Sequence, residues 1–578
     1  MRHRHLALLL LLPTSLAAQG RDSVVPDLAT LVARPRSELA PVLERWSADR
    51  AALGRRYSVE YSPERRDRFR SFQRAWQVEL QRLPFERLGR PAQVDYLLLD
   101  NKLRYELALL DREEKLAAEM APLLPFASAL FALVEERRRF VRPDPAHAAK
   151  AITAMTAALE AARAAMATPA NRPTRIVALR AAEATGELRG EFQGWLRFYQ
   201  GYDAEMSWWV AEPAKRFDTA LESWRRYLRE QLVGVKEGQD EPIVGDPIGA
   251  DGLAVDLRAE MIAYSPAELI AIAEKEYAYL LGEAKQTART MGFGDDWKRA
   301  AEATKDDYAP VGKQTLAVRD MALEAIRYVE ANDLVTVPPL AKEVWRMEMM
   351  TAAQQKVSPF FLGGEVILVS SPTDEMSDDE KLMTLRANNL HGSRATVQHE
   401  LIPGHHLQGF AAARNGASRG IFSTPFYSEG WSLWWEIQLW DRGFPVTAKD
   451  RMGMLFWRMH RAARIIFSLK FHLGEWTPEQ CIDFLVDAVG HERASATGEV
   501  RRSFNGSYSP LYQAGYLLGG MQLRALHREL VDTKRMTDRQ FHDAVLAVGP
   551  MPIEMVRAQL MPERPLARTN TLTWRFAE

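Results

Sequence analysis

Ala395-Thr396-Val397-Gln398-His399-Glu400-Leu401-Ile402-Pro403-Gly404-His405-His406-Leu407-Gln408 is the stretch from which the rest of the chain is read. A helix carrying H-E-x-x-H sets two imidazoles four residues apart on one face, where both reach one metal ion, and the Glu beside the first His acts as general base. Here the fourth residue after His399 is Pro403, and the next histidines are His405 and His406. On an unbroken helix His405 points about 120° away from His399, while His406 faces the same way but lies roughly 10 Å further along the axis. Pro403-Gly404 argues against an unbroken helix. A two-residue bulge there carries His405 into the place of the second ligand. His406 is the alternative.

A third ligand is expected from a carboxylate on a following helix. Glu429 stands in Thr424-Pro425-Phe426-Tyr427-Ser428-Glu429-Gly430-Trp431, ahead of Leu433, Trp434, Trp435, Ile437 and Leu439. That helix is apolar nearly all round, which predicts burial. A carboxylate at the head of a buried helix is costly unless it is paired or bound to metal. Glu436 lies seven residues on, two turns along the same face, and suits a hydrogen bond from a ligand His. Trp431, Trp434, Trp435 and Trp440 read as core packing.

Further out, the chain reads as helix after helix. Ala148 to Ala167 is Ala-rich, and Phe217, Leu221, Trp224, Leu228 and Leu232 form one helical stripe. Ser265-Pro266-Ala267-Glu268, Ser377-Asp378-Asp379-Glu380 and Thr477-Pro478-Glu479-Gln480 each carry the side chains of a capping box. Gly364-Glu365-Val366-Ile367-Leu368-Val369-Ser370 is short and rich in β-branched residues, so it predicts a strand, with a partner in a small sheet. The expected class is therefore mainly α. The glycine- and proline-rich stretch from Gly234 to Gly252 marks the best internal boundary, between an N-terminal helical region, 19–235, and a region 236–578 holding the metal site.

Residues 1–18 read as a secretory signal. Arg2, His3, Arg4 and His5 give a basic start, Leu6 to Leu12 an apolar run, and Ala17-Ala18 a cleavage region. The apolar run is too short to span a bilayer. The expected location is periplasmic or secreted, and no Cys follows the cleavage region to take a lipid. Cys481, the single cysteine, excludes an internal disulfide and reads as a small buried group. Lys+Arg 75 against Asp+Glu 76 gives a net charge of -1, which offers nothing to draw the chain to nucleic acid or an anionic membrane.

These residues resemble the bacterial domain-of-unknown-function family 885. Its signature runs H-E-x-x-P-G-H, then E-G-W, then P-x5-Y-x2-G, and the matching residues here are His399 to His405, Glu429-Gly430-Trp431, and Pro510 with Tyr516 and Gly519. Pro247-Ile248-Gly249 and Tyr264 to Leu269 look like its middle section, so the resemblance covers most of the mature chain and both regions form one family domain. The family is similar to the gluzincin metallopeptidases. That implies a multi-helix fold with a deep central cleft, one zinc ion per chain on His399, His405 and Glu429, and Glu400 as base. It also makes Tyr516 the candidate donor to the oxyanion, with Tyr512 and Tyr508 behind it. Arg461, Arg464 and His472 look like a further family motif, with Ser468 and Lys470 departing from it. Arg461 or Arg464 suits a substrate carboxylate, and His472 joins the candidate catalytic residues.

The function these residues imply is zinc-dependent hydrolysis of a peptide or small amide. Two alternatives stand beside it: a peptide-binding protein of the same fold without turnover, and a zinc hydrolase of non-peptide amides or esters.

Overall fold

The computed structural model describes residues 24–33, 36–357, 363–569 and 572–577. The signal sequence expected at residues 1–18 lies outside them. The fold is mainly α: helices follow one another along the chain, and the described residues contain one two-stranded sheet.

Local chemistry starts the helices where the sequence predicts. Ser265, Ser377 and Thr477 each accept a hydrogen bond from the backbone N–H three residues on, and Glu268, Glu380 and Gln480 each bond back to the cap. Such caps contribute about 1 kcal/mol each. Cys481, in the first turn after Thr477, is fully buried, and burial pushes its thiol up to about 12. The Ala-rich stretch forms the helix Pro145–Ala165, begun by the side chain of Asp144. Phe217, Leu221, Trp224 and Leu228 form a buried stripe that packs with Phe192 and Trp195. Among the described residues no single helix is long and apolar enough to cross a membrane.

Residues 234–248 carry no helix, as their glycines and prolines predict. Ahead of them Met120, Trp195, Phe217 and Leu228 belong to a buried cluster of their own, but other N-terminal residues join the core that carries the site. Leu43, Trp46, Leu99 and Leu103 share one buried cluster with Leu257, Trp434, Leu518 and Met555. Arg419 Nε donates to Asp95 at 2.7 Å, and Arg90 donates to the Ala558 carbonyl. The helices Ala40–Arg56 and Arg90–Met120 thus contribute to the core that carries the site.

Two packing arrangements place the site. Strand β1 (Arg346–Met349) runs parallel to β2 (Val366–Val369), with Arg346 opposite Val366. Alternate residues Ile367 and Val369 turn inward onto Val318 and Ala322, and onto Val397 and Leu401 beside His399. The sheet therefore braces the back of the helix that bears His399. On the other side, the Trp-rich helix Pro425–Asp441 and the helix Tyr512–His527 cross at glycines. A Cβ on Gly519 would lie 2.1 Å from the Phe426 carbonyl oxygen, and one on Gly430 would lie 2.6 Å from Gly519 Cα. This backbone contact brings tyrosines of the second helix up to Glu429 on the first.

Candidate metal centre

The helix Leu390–Glu400 is begun by Asn389, whose side chain accepts from the N–H groups of His391 and Gly392. It stops at Glu400. Leu401-Ile402-Pro403-Gly404 turns the chain through a cis Ile402–Pro403 peptide, and a new helix, His405–Asn415, begins. The expected two-residue bulge is thus a complete break of the helix. Pro403 has no N–H to continue the ladder, the Gly404 N–H returns to the Gln398 carbonyl at 3.0 Å, and the His406 N–H reaches Leu401 at 3.1 Å. A Cβ at position 404 would stand 1.9 Å from the His399 carbonyl oxygen, so only glycine allows the chain to fold back this closely. Trp431 Nε1 donates to the Pro403 carbonyl at 2.9 Å and pins the break to the Trp-rich helix.

The break gathers three donors. His405 Nε2 lies 3.1 Å and His399 Nε2 3.6 Å from Glu429 Oε2, and all three ligand atoms fall within 4.8 Å of one another. His406 points away, buried, with Nε2 2.9 Å from the Ala341 carbonyl. His405 therefore joins His399 and Glu429. Glu436 stands where its spacing predicts, with Oε1 2.7 Å from His399 Nδ1. Arg461 Nη2 donates to the same oxygen at 3.4 Å. The Tyr512 hydroxyl donates to Glu429 Oε1 at 2.5 Å.

Electrostatics here follow from burial and close pairing. Burial alone would pull the His399 ring down, but its contacts with Glu429 and Glu436 outweigh that and hold it at about 9. Glu429, though buried, is held well below the usual carboxylate range by the two imidazoles. Burial raises the Glu400 carboxyl, opposed by His399 and His405.

The donor set fits zinc. Two imidazole nitrogens and one carboxylate oxygen are the ligands of known catalytic zinc sites, which keep a fourth position open. With a metal bound, Glu436 would keep the His399 proton on Nδ1, and Nε2, having given up its proton, would be the ligand atom.

The three donors line a cavity of about 280 Å³, together with Glu400, Arg461, Arg464 and Tyr516. The Tyr516 ring lies flat against the His399 imidazole, centroids 6.1 Å apart. Gly363, just ahead of β2, covers Glu400 so closely that a Cβ would stand 2.3 Å from the Glu400 Cβ. His472 is not brought to this cavity. The helix Ala448–His472 carries it two turns past Arg464, against the rings of Phe471 and Phe504, where burial pulls its imidazole down to about 4. Its place in the catalytic set is withdrawn.

The sequence reading missed the bond from Tyr512 to Glu429, and it missed Trp457 and Arg502, which also line the cavity. Tyr508, Tyr512 and Tyr516 fall at four-residue steps, a spacing that could have placed all three on one face. Arg502 had no such signal.

Fold and site together define a mainly helical protein with a buried His-His-Glu centre. The family model for bacterial proteins of unknown function, domain-of-unknown-function family 885, matches residues 49–560, and the chain belongs to that family. Two solved structures share the fold. A presumed lipoprotein of unknown function from Shewanella oneidensis is 20% identical, with a TM-score of 0.67 over 91% of this chain and 100% of that one. A presumed lipoprotein from Colwellia psychrerythraea is 15% identical, with a TM-score of 0.57 over 91% and 98%. No curated protein matches the chain.

Proposed function

We propose that this protein is a zinc-dependent hydrolase of peptides, with one zinc ion per chain. The observation that carries this reading is the convergence of His399 Nε2, His405 Nε2 and a Glu429 oxygen within 4.8 Å, in the same cavity as Glu400. Zinc held by these residues would polarise a carbonyl and make a water molecule more acidic. Glu400 takes the proton from the attacking water and passes it to the leaving amine, and burial, which raises its carboxyl, favours the protonated form needed for the second transfer. Glu436 holds the His399 ring in one orientation. Tyr516 donates to the carbonyl oxygen as negative charge builds there. The backbone at Gly363, lying over Glu400 and leading into β2, suits an extended peptide laid beside it.

The basic and apolar zones of residues 1–18 support export to the periplasm or beyond. The description of both structural relatives as presumed lipoproteins agrees with this.

Zinc stoichiometry and turnover of a peptide library, measured on the wild type and on Glu400→Gln, test the proposal. The expected result is about one zinc per chain in both proteins and cleavage by the wild type only. A wild type that binds no metal and cuts nothing returns the protein to the binding-protein alternative. Zinc without peptide cleavage points to another amide or an ester.

A further inference from the structure

We propose that the site works at the C-terminal end of its peptide, holding the free carboxylate at the guanidinium groups of Arg461, Arg464 and Arg502. This rests on the hydrolase reading above and names its substrate class: peptides with an unblocked C-terminus.

The charges facing this end of the cavity do not balance. Arg464 Nε donates to Glu499 Oε1 at 2.7 Å, and Arg502 Nε donates to the other oxygen of the same carboxylate at 2.6 Å. One carboxylate thus serves two guanidinium groups. His460, 3.6 Å from Glu499, is buried beside Arg464 and is held well below its usual range, so it is neutral and adds no charge. Arg461 meets Glu436 at 3.4 Å, but that oxygen already bonds His399. Glu400 and Glu429 belong to the metal end. One positive charge is left over at the arginines. Arg461 and Arg464 are only 5% and 2% exposed, yet Arg461 Nε and Arg464 Nη1 have no hydrogen-bond partner. Buried, unbonded N–H groups on cations are costly to keep. All three guanidinium groups line the cavity, and a carboxylate bound there has the charge and the two-oxygen shape to meet the surplus.

The arginines are also held in place before any ligand arrives. The Tyr516 ring has the Arg461 guanidinium 4.5 Å from its centroid and that of Arg464 at 4.6 Å. Cations set against an aromatic ring lose little freedom when they bind a ligand.

The helices Leu390–Glu400 and Ala448–His472 pack side by side at this cavity. Gly453 packs against His391 and Gly392, whereas Arg461 shares Glu436 with His399, so the two helices step along together. Trp457 borders both the metal cavity and a second cavity of about 420 Å³, lined by Trp297, Met383 and Phe456 among others. Arg461 lies against that same tryptophan, its guanidinium 5.3 Å from the Trp457 ring centroid. A peptide with its carboxylate on Arg461, Arg464 and Arg502 has its last residues in the cavity that the metal ligands also line. Hydrolysis breaks one C–N bond near the C-terminus. The water oxygen and one proton become the new carboxyl group, and the other proton goes to the released amine.

The test uses the purified zinc-loaded chain and N-acetylated hexapeptides, each as the free acid and as the C-terminal amide. Products are read by mass spectrometry, and binding is measured on Glu400→Gln. The expected result is release from the C-terminus, with kcat/KM for the acids at least about tenfold above the amides, the loss one charge-assisted hydrogen bond gives. Arg502→Gln, at a partly exposed position, should shrink that preference roughly tenfold while circular dichroism and zinc content stay unchanged. Equal cleavage of acids and amides, or cleavage only at internal bonds, overturns this inference and leaves the peptidase reading standing. If neither form is cut by the wild type or bound by Glu400→Gln, both fall.

Discussion

His399 has a carboxylate from one helix on each side of its ring: Glu436 Oε1 lies 2.7 Å from Nδ1, and Glu429 Oε2 lies 3.6 Å from Nε2. Glu429 and Glu436 are two turns apart on the helix Pro425–Asp441, so a single rigid element fixes both the ring's tilt and its tautomer. Glu436→Gln keeps the shape and removes the charge that orients the ligand. Zinc affinity should fall roughly 10–100-fold, the range for lost outer-shell partners. Competition with a chelator of known affinity reads this directly. An unchanged affinity would reduce Glu436 to an ion-pair partner of Arg461.

The break after Glu400 separates two adjacent histidines in role. His405→Ala should empty the metal site and leave the fold intact, since its ring is partly exposed and faces Glu429. His406→Ala should keep zinc but lose about 1–3 kcal/mol of stability, because it strips the buried hydrogen bond with the Ala341 carbonyl. Zinc content and denaturant unfolding on the two variants decide the matter. The opposite pattern would mean that the chain turns differently at Gly404.

How far the sequence reaches is visible in these same residues. His399 was legible from the His-Glu motif, Glu429 as a carboxylate at the head of a buried helix, and Glu436 from its two-turn spacing to Glu429. The preference for His405 followed from the bulge that Pro403-Gly404 predicts, but the full break did not. It depends on Gly404 folding back onto the His399 carbonyl and on Trp431 bonding to Pro403, contacts that no local pattern encodes. Tyr512 was undervalued for a related reason. Its bond to Glu429 exists because two helices cross at Gly430 and Gly519, far apart in sequence. His472 looked catalytic through its neighbours Arg461 and Arg464, yet a straight helix carries it past the cavity. The shared core of the first helices rests on pairs such as Asp95 with Arg419, separated by 324 residues.

Glu260 should give the protein a pH-dependent stability. Burial pushes its carboxyl up to about 8 from the ordinary 4.5, only partly opposed by a hydrogen bond from Thr424, and Oε2 has no partner. Between those two values the folded chain keeps a proton that the unfolded chain has lost. Stability therefore falls as pH rises through that window, and the loss is complete above about pH 8. Glu260→Gln cannot ionise. Its Tm relative to wild type should be higher at pH 8.5 than at pH 5, by about 1 °C for each kcal/mol recovered in a chain of this length. Thermal unfolding at both pH values tests this, and an equal offset at the two would rule out the buried proton. Thr424 also caps the helix that carries Glu429, so metal affinity should be followed in the same samples.

Tyr512 and Tyr516 stand one turn apart and should fail in different ways. The Tyr512 hydroxyl is committed to Glu429 Oε1 at 2.5 Å, so it supports a metal ligand. Tyr512→Phe should weaken zinc binding, and excess zinc should restore much of the turnover. Tyr516 is placed otherwise. Its ring is flat against His399 and flanked by two guanidinium groups, which fixes it in the cavity wall. Burial raises its hydroxyl well above the ordinary tyrosine value, so at neutral pH it keeps its proton and can donate. A donor aimed at the developing oxyanion is worth roughly 3 kcal/mol, or about a hundredfold in turnover. Tyr516→Phe should therefore lower kcat about a hundredfold, leave KM nearly unchanged, keep its zinc, and show no rescue by added metal. Steady-state kinetics at limiting and saturating zinc separate the two tyrosines. If Tyr516→Phe turns over normally and Tyr512→Phe shows the large kcat loss at saturating zinc, the oxyanion role passes to Tyr512.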